Sequence, residues 1–247
     1  MLGRRIGRVE WTERRVVSGD LEAAAGFRID DLRRWGKHIV ADLSRGRSRA
    51  HLLIHLGMTG QLVLNGPQQK HTHVVFDLEG GDRLLYNDPR QFGRVQFATR
   101  LPGRLAELGP DPLEIDEKTF VGRLRARRAM VKALLLNQEF LRGLGNIYAD
   151  EALFRAGVHP RAIGSRLRPE RAARLYRAIR RVLREAIRAG GSSVSDYVDS
   201  EGRAGWFQFR HQVYGRTGQR CQECGVVIRR IVVGSRGTHY CVCCQRR

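Results

Sequence analysis

The sequence predicts an α+β protein with more than one domain, and three observations carry that prediction. Short apolar segments separated by glycine turns fill roughly the first 100 residues, as is typical of β-strands. A proline-rich boundary follows, and beyond it apolar residues recur at steps of three and four, the period of a helix. Near the end, two C-x2-C pairs indicate a small metal-stabilised hairpin.

The N-terminal region reads as a series of short strands. Residues 6–17 alternate loosely between apolar and polar side chains. Residues 51–56 and 61–64 flank one glycine turn, and residues 72–78 and 83–86 flank another. Short strands at regular spacing predict a β-sandwich or a β-barrel.

The pattern becomes helical after a segment rich in proline and glycine at residues 101–112. Helix-forming residues dominate 116–128 and 130–138. Pro169 opens the clearest helix, and a glycine pair ends it. We expect one apolar stripe along this helix, formed by Leu175, Ile179, Val182, Ala186 and Ile187.

Cysteine spacing is the most specific chemical signal. Cys221 and Cys224 form one pair, Cys241 and Cys244 form the second, and sixteen residues separate the pairs. This spacing predicts a tetrahedral zinc site in a hairpin, with Cys243 as a spectator. Disulfides are the alternative, but the first residues contain no apolar secretory core. A four-thiolate site leaves no open coordination position, so we expect the zinc to be structural.

The composition is strongly basic. Lysine and arginine total 45 against 25 acidic residues, a formal net charge of +20. Such an excess indicates a polyanionic partner. Nucleic acid is favoured over a membrane, because no apolar run approaches the roughly 18 residues of a spanning helix. Only four of the basic residues are lysines, so a coding bias toward arginine is an alternative source of the charge.

Two glycine-bearing segments are candidate binding elements. Residues 141–145 form a turn that runs into a predicted helix start at Asn146. Backbone amides exposed at this helix start would bind a phosphate well. The local pattern alone favours the alternative, in which Asn146 is an ordinary N-cap. The second segment, residues 190–207, is rich in glycine and hydroxyl groups and has the length of a binding loop.

Five motifs occur in order along nearly the whole chain. They are HLGMTG at 55–60, NDPRQFG at 87–93, GLGNIYADE at 143–151, YGR at 214–216 and a four-cysteine finger containing RGTHYC at 236–241. Together they resemble the bacterial formamidopyrimidine-DNA glycosylases. The resemblance implies a β-sandwich at 1–108, a helix-two-turn-helix domain at 113–208 and a zinc-finger β-hairpin at 211–245. It also implies a base-excision repair glycosylase and abasic-site lyase acting on oxidised purines, including 8-oxoguanine and formamidopyrimidines.

The resemblance assigns a base-flipping wedge to Met58, Arg90 and Phe92. An enzyme that acts on a base must take it out of the stack, so apolar side chains would fill the gap. Arg90 would donate to the widowed partner base. This combination favours the branch for oxidised purines over the related enzymes for oxidised pyrimidines. Without the resemblance, Met58 reads as a core residue and Phe92 as a strand aromatic.

Further roles follow from the same resemblance. Phosphate contacts are implied for His71, Arg127, Lys132, Asn146 and Arg236. Lys37 aligns with the lysine that donates a proton in β-elimination, and a surface lysine is the alternative. Arg236 also aligns with the arginine linked to δ-elimination, where it would stabilise the leaving phosphate electrostatically. Ser192 and Ser193 fall where the lesion-recognition loop of the family begins.

The beginning of the sequence departs from the family pattern. The family starts Met-Pro-Glu-Leu-Pro-Glu-Val-Glu; its proline amine is the Schiff-base nucleophile and the following glutamate is the acid–base partner. Residues 1–6 match the family pattern only at positions that follow this segment. We expect a start codon assigned too late, so that the native enzyme carries the segment. The alternative is a short form that binds damaged DNA without cutting it.

A zinc-ribbon nucleic-acid module without repair function is a third interpretation. It would explain the charge and the cysteines but would leave the Met58, Arg90 and Phe92 set without a purpose. For the whole protein we expect one structural zinc ion and double-stranded DNA containing oxidised bases or abasic sites as the partner. We also expect a monomer without membrane association, located in the cytoplasm with the nucleoid.

Overall fold

The computed structural model describes residues 1–193 and 201–246, which fold into two compact units. One unit contains Met1–Ala106 together with Gly190–Gly205. The other contains Glu107–Ala189 together with Trp206–Arg247. Among the helices of the described residues, none has the length and apolar character that a bilayer crossing requires.

Strands dominate the first unit. They are β1 (Ile6–Trp11), β2 (Val17–Ser18), β3 (Arg28–Trp35), β4 (His38–Arg45), β5 (Ser48–His55), β6 (Gln61–Leu64), β7 (Thr72–Leu78), β8 (Arg83–Asn87) and β9 (Arg94–Ala98). A short helix, α1 (Gly103–Ala106), follows them. One sheet has the order β1-β7-β8-β6, and the other has the order β2-β9-β5-β4-β3. Neighbouring strands are antiparallel except for the short β2–β9 pair.

The two sheets share one core, which identifies the predicted β-sandwich rather than a barrel. Phe76 of β7 and Tyr86 of β8 reach it from the four-stranded sheet, and Leu52 and Ile54 of β5 reach it from the other. Alternate residues of a strand point to opposite faces, so the odd-numbered neighbours in β5 face away from this core. Burial of one such large apolar side chain contributes about 1.5–3 kcal/mol.

Helices and a hairpin build the second unit. They are α2 (Glu117–Arg125), α3 (Val131–Leu136), α4 (Asn146–Arg155), α5 (Pro169–Arg188), β10 (Arg229–Val233) and β11 (Arg236–Tyr240). Asp116 begins α2 as an N-cap, because its carboxylate accepts the Thr119 amide at 2.8 Å. Such a cap contributes about 1 kcal/mol to stability. The helical segments predicted from periodicity are confirmed, and α2 and α3 are each a few residues shorter than expected.

The apolar stripe of α5 differs from the prediction at one position. Leu175, Ile179, Val182 and Ala186 are buried in the helical core, as expected. Ile187 is 65% exposed, so its assignment to the stripe was wrong. Successive residues lie about 100° apart around a helix, which turns Ile187 away from the face that Ala186 buries.

The hairpin turn is built on two residues with positive φ. Gly234 has a φ of 56° and Ser235 a φ of 59°. A two-residue turn with both φ values positive matches the right-handed twist of the paired strands. Glu151 of α4 joins the segment that precedes the hairpin to the helices. Its buried carboxylate accepts the amides of residues 212–214 at 2.9–3.1 Å.

Leu153→Ala should destabilise the second unit by about 2–5 kcal/mol, because Leu153 is fully buried in the helical core. The matched control is Ile187→Ala, which removes an exposed side chain and should change stability by no more than about 0.5 kcal/mol. Urea unfolding followed by far-ultraviolet circular dichroism measures both. Equal losses in the two variants would contradict the helical packing described here.

Candidate nucleic-acid interface and zinc site

Three side chains predicted to act together do lie together in the first unit; we call Met58, Arg90 and Phe92 the Met–Arg–Phe cluster. Met58 is 63% exposed and Phe92 is 54% exposed. The guanidinium carbon of Arg90 lies 4.7 Å from the centre of the Phe92 ring. Its Nη1 lies 3.8 Å from the sulfur of Met58. Large apolar side chains exposed side by side mark an interaction surface rather than a core.

A buried carboxylate holds the two loops that carry this cluster. Asp88 accepts hydrogen bonds from Thr59 Oγ1 at 2.5 Å, the Gly93 amide at 2.8 Å and the Tyr86 hydroxyl at 3.1 Å. Burial opposes ionisation of Asp88, but these donors outweigh it and hold the pKa of the carboxyl below its usual range. Sequence reasoning missed this role, although Asp88 stands inside the NDPRQFG motif.

Two glycines allow the same loops to approach each other. Gly57 has a φ of +63°, and a Cβ there would lie 2.7 Å from the Gly93 amide nitrogen. A Cβ on Gly93 would lie 2.6 Å from the His55 carbonyl oxygen and would collide with the Tyr86 hydroxyl. Any larger residue would therefore push the Met58 loop away from the Phe92 loop.

The other predicted residues of the first unit lie on separate loops. The carbonyl of His71, which is half-buried, accepts the Asp88 amide at 3.0 Å and so lies beside the Asp88 loop. Lys37 is exposed in the turn between β3 and β4. Ser192 and Ser193 are half-buried, and Ser193 Oγ accepts the Gly205 amide at 2.8 Å. Residues 194–200, the continuation of the predicted lesion loop, lie outside the described residues.

Lys132, a predicted phosphate contact, is fully buried in the second unit. Its Nζ lies 2.5 Å from Asp150 Oδ1 and donates to Thr238 Oγ1 at 2.8 Å and to the Gly237 carbonyl at 3.2 Å. Burial lowers the pKa of Lys132, and the Asp150 carboxylate opposes that effect. All three donors of the ammonium therefore have partners inside the protein. This position does not support a direct phosphate contact and corrects that expectation.

Asn146 begins α4, as predicted, but it is not the N-cap. Gly145 occupies the N-cap position without a side-chain hydrogen bond, so the interpretation of Asn146 as an ordinary cap was wrong. The Asn146 side chain instead donates to the Gly237 carbonyl at 3.0 Å. Asp150 binds the next part of the hairpin, since its Oδ2 accepts the His239 amide at 2.9 Å. The α4 helix start and the hairpin strand β11 are thus fixed to each other.

Two predicted arginines of the second unit reach solvent. Arg236 is exposed at the start of β11, directly after the hairpin turn. Arg127 is exposed at the end of the segment that follows α2, and its carbonyl accepts the Ser165 amide at 2.9 Å. Both guanidinium groups can contact a polyanion without first leaving a buried position.

The four predicted cysteines converge at the base of the hairpin. Their sulfur atoms all lie within 4.8 Å of one another, with Cys221 and Cys244 3.9 Å apart and Cys224 and Cys241 3.4 Å apart. Four thiolates about 2.3 Å from one zinc ion would be about 3.8 Å apart, which fits this geometry and excludes disulfide bonds. Burial raises the pKa of the Cys244 thiol, so a thiolate there needs a bound cation. Cys243 is exposed outside the cluster, as expected.

Three family descriptions match successive parts of the chain. Residues 1–95 match the formamidopyrimidine-DNA glycosylase N-terminal domain, and residues 108–198 match the H2TH domain of the same enzymes. Residues 218–247 match the zinc finger found in FPG and IleRS. With the cysteine geometry, this match identifies one structural zinc site.

Full-length relatives agree with these matches. The chain is 53% identical over 252 residues to a formamidopyrimidine-DNA glycosylase of Solibacter usitatus, covering 100% of this chain and 94% of that protein. The crystal structure of the MutM (Fpg) protein of Thermus thermophilus is 42% identical, with a TM-score of 0.88 over 99% of this chain and 92% of that one.

A third relative was crystallised on DNA. The Lactococcus lactis Fpg, in complex with DNA containing an abasic site, is 35% identical, with a TM-score of 0.89 over 100% of this chain and 94% of that one. The chain therefore belongs to the formamidopyrimidine-DNA glycosylase family, whose members are bifunctional DNA glycosylases and abasic-site lyases for oxidised purines.

Proposed function

We propose that this chain recognises oxidised purines and abasic sites in duplex DNA by inserting the Met–Arg–Phe cluster at the lesion. The exposed cluster, held by the buried Asp88 carboxylate, is the observation that carries the proposal. Related proteins were crystallised with DNA containing an abasic site, Fapy-dG or carbocyclic 8-oxo-G. Met58 and Phe92 would fill the space of the extruded nucleotide, and Arg90 would donate to the unpaired base.

We assign the phosphate contacts to residues whose polar atoms can reach a ligand: His71, Arg127, Asn146 and Arg236. The side-chain amide of Asn146 donates one N–H to the Gly237 carbonyl, which leaves its second N–H to donate to a phosphate oxygen. Lys132 acts behind these residues, since it holds Gly237 and Thr238 of the hairpin against α4. Such contacts fix the register of the protein on DNA without reading its sequence.

For the lyase step we assign Lys37 as the proton donor in β-elimination. An exposed lysine ammonium carries a transferable proton, whereas a guanidinium does not at neutral pH. Arg236 stabilises the leaving phosphate in δ-elimination through its charge. Ser192 and Ser193 begin the loop that contacts the flipped base.

We also propose three functional domains at 1–108, 113–208 and 211–245, in a monomer that works at the nucleoid in the cytoplasm. The exposed arginines and the net charge of +20 support attraction to DNA.

The nucleophile of the family is an N-terminal proline amine, and residues 1–247 as printed show no such proline after Met1. We propose that strand cleavage requires the Pro-Glu segment of the family.

Phe92→Ala should weaken binding to a duplex with a tetrahydrofuran abasic-site analogue by about 1–3 kcal/mol, or roughly 5- to 150-fold. The reason is the loss of an aromatic surface at the vacated stacking position. Fluorescence anisotropy at fixed salt concentration measures the change. The matched control is Leu101→Ala, which removes another exposed apolar side chain of the same unit. An equal loss on undamaged duplex would refute the wedge assignment.

Cys224→Ser should abolish stoichiometric zinc binding and weaken affinity for abasic-site DNA, because the hairpin that presents Arg236 loses its anchor. Cys243→Ser is the matched control and should retain both properties, since Cys243 lies outside the sulfur cluster. Zinc is measured by mass spectrometry and affinity by anisotropy. A zinc-free variant with full affinity would show that the hairpin does not need the metal to contact DNA.

Borohydride trapping on abasic-site DNA tests the nucleophile. Residues 1–247 should give no covalent adduct, whereas the same chain preceded by the Pro-Glu segment should give one, because the N-terminal proline of that segment supplies the amine that forms the Schiff base. Replacing the added proline by alanine is the control for the role of the secondary amine. Trapping of residues 1–247 at a comparable yield would overturn the assignment, and tight lesion binding without trapping by either protein would favour a non-cleaving binder.

A further inference from the structure

A row of basic side chains crosses the outer face of the five-stranded sheet, apart from the Met–Arg–Phe cluster and the zinc site. His38 of β4 pairs with His55 of β5, and His55 pairs with Arg94 of β9. Paired residues of neighbouring strands project to the same face of a sheet. The two imidazole rings are 5.0 Å apart. Three strands therefore present one continuous basic row.

The segment after β9 lies over part of this row and borders an open cavity of about 290 Å³. Trp35 Nε1 donates to the Leu105 carbonyl at 2.8 Å and holds the cover on the sheet. Arg104 of α1 joins the lining, and its Nη2 lies 3.3 Å from Gln96 Oε1. The volume is near the lower end of the roughly 300–1,000 Å³ typical of small-ligand sites.

Among the described residues that line the cavity, no acidic side chain balances the positive charge. The described residues that line the cavity include two arginines and two histidines but no acidic residue. Arg94 Nη1 donates to the Gly93 carbonyl at 2.7 Å, and Arg104 donates to Gln96. A guanidinium has five N–H donors, so both arginines keep donors for a ligand. Such a site attracts an anion.

His38 gives an independent indication of a ligand. Its Nδ1 is buried and has no hydrogen-bond partner among the described residues, while the ring also bonds to the backbone of Trp35. Burial lowers the pKa of His38, the Trp35 bond opposes this, and the charge of Arg104 lowers the pKa further. The hydrogen-bonding capacity of this nitrogen is therefore met by no described residue, and a ligand hydroxyl or a proton would satisfy it.

His55 is held neutral for similar reasons. Burial lowers its pKa first, and the charges of Lys37, Arg94 and Arg104, together with that of His38 when it is protonated, act in the same direction. The Gly57 amide donates to His55 Nδ1 at 3.2 Å, which places the proton of the neutral ring on Nε2. An anion in the cavity would offset these positive charges and would raise both histidine pKa values.

We propose that this cavity binds a phosphate group, with Arg94 and Arg104 donating charge-assisted hydrogen bonds to its oxygens and His38 sharing a proton with it. A tetrahedral dianion can engage two guanidinium groups from two sides, which a planar carboxylate cannot do as well. The proton is donated by a P–OH group or is taken up from solvent at His38 Nδ1. The site uses only side chains of the first unit, so it stands whether or not the proposed lesion binding is correct.

Imidazole resonances of the intact chain test the proposal by nuclear magnetic resonance. Inorganic phosphate, titrated at constant ionic strength against sodium chloride, should shift the His38 and His55 signals saturably. Sulfate keeps its charge between about pH 5 and pH 8, so it separates the titration of His38 from that of the probe. Sulfate should bind more tightly as the pH falls, since binding is coupled to protonation of His38. Linear shifts equal to those from chloride would overturn the proposal.

Arg104→Gln supplies the specific variant, because Arg104 is exposed and its removal leaves the sandwich core intact. It should weaken phosphate binding about tenfold or more. Arg100→Gln is the matched control: it removes the same charge from an exposed residue nearby that does not line the cavity, and should change affinity less than about twofold. Equal weakening by both variants would show general charge attraction and would refute a built site. A thermal melt of each variant confirms that the fold is retained.

Two sources of phosphate are distinguished with one further pair of probes. A dinucleotide with a terminal phosphate is compared with the same dinucleotide without it. If the phosphorylated form shifts His38 at lower concentration than inorganic phosphate does, the site serves phosphate on nucleic acid. If only inorganic phosphate binds, the site serves the free anion; if neither probe binds saturably, the proposal fails.

Discussion

The arrangement of candidate DNA-contacting residues depends on buried carboxylates that find their hydrogen-bond donors inside the protein. A carboxylate removed from water is costly unless several donors reach it. Asp88 collects its donors from the loops that carry Met58 and Phe92. Asp150 binds Lys132 and the backbone of His239, and Glu151 binds three successive amides at residues 212–214. Each carboxylate therefore holds a loop or strand from a different part of the chain.

The zinc site and the Lys132–Asp150 pair act on the same hairpin from two sides. The four sulfur atoms close the base of the hairpin, and Lys132 holds Gly237 and Thr238 beside the exposed Arg236. A flexible arginine on a loose hairpin would lose conformational entropy when it bound a phosphate. Ordering the backbone on both sides of Arg236 in advance reduces that cost. The zinc site is thus a structural element of the hairpin that carries Arg236 and not a catalytic centre.

Many of the arginines stabilise the fold through hydrogen bonds within the protein. Arg171 and Arg174 of α5 donate to the carbonyls of Gly157 and Ala156, at 3.1 and 3.0 Å, near the end of α4. Arg180 donates to the Leu113 carbonyl at 2.7 Å. Guanidinium groups suit this work, because several donors can satisfy carbonyls that helix ends leave unpaired. The net charge of +20 therefore overstates the number of cations available to DNA.

Local patterns in the sequence determined a great deal. The spacing of Cys221, Cys224, Cys241 and Cys244 predicted the zinc site, because two knuckles of fixed geometry need few other constraints. Proline at the start and glycines at the end bounded α5, and the strand pattern predicted a sheet domain. The family motifs grouped Met58, Arg90 and Phe92, and the structure places both Met58 and Phe92 beside Arg90.

Tertiary structure alone decided which polar groups are buried and what they bind. Lys132 and Lys37 look alike in the sequence, yet one is fully enclosed beside Asp150 and the other is exposed. The role of Asp88 and the basic row of His38, His55 and Arg94 depend on strand register across distant segments. Spacing along the chain sets local geometry, but burial and pairing depend on which segments meet, and a residue's own neighbours in sequence do not encode that.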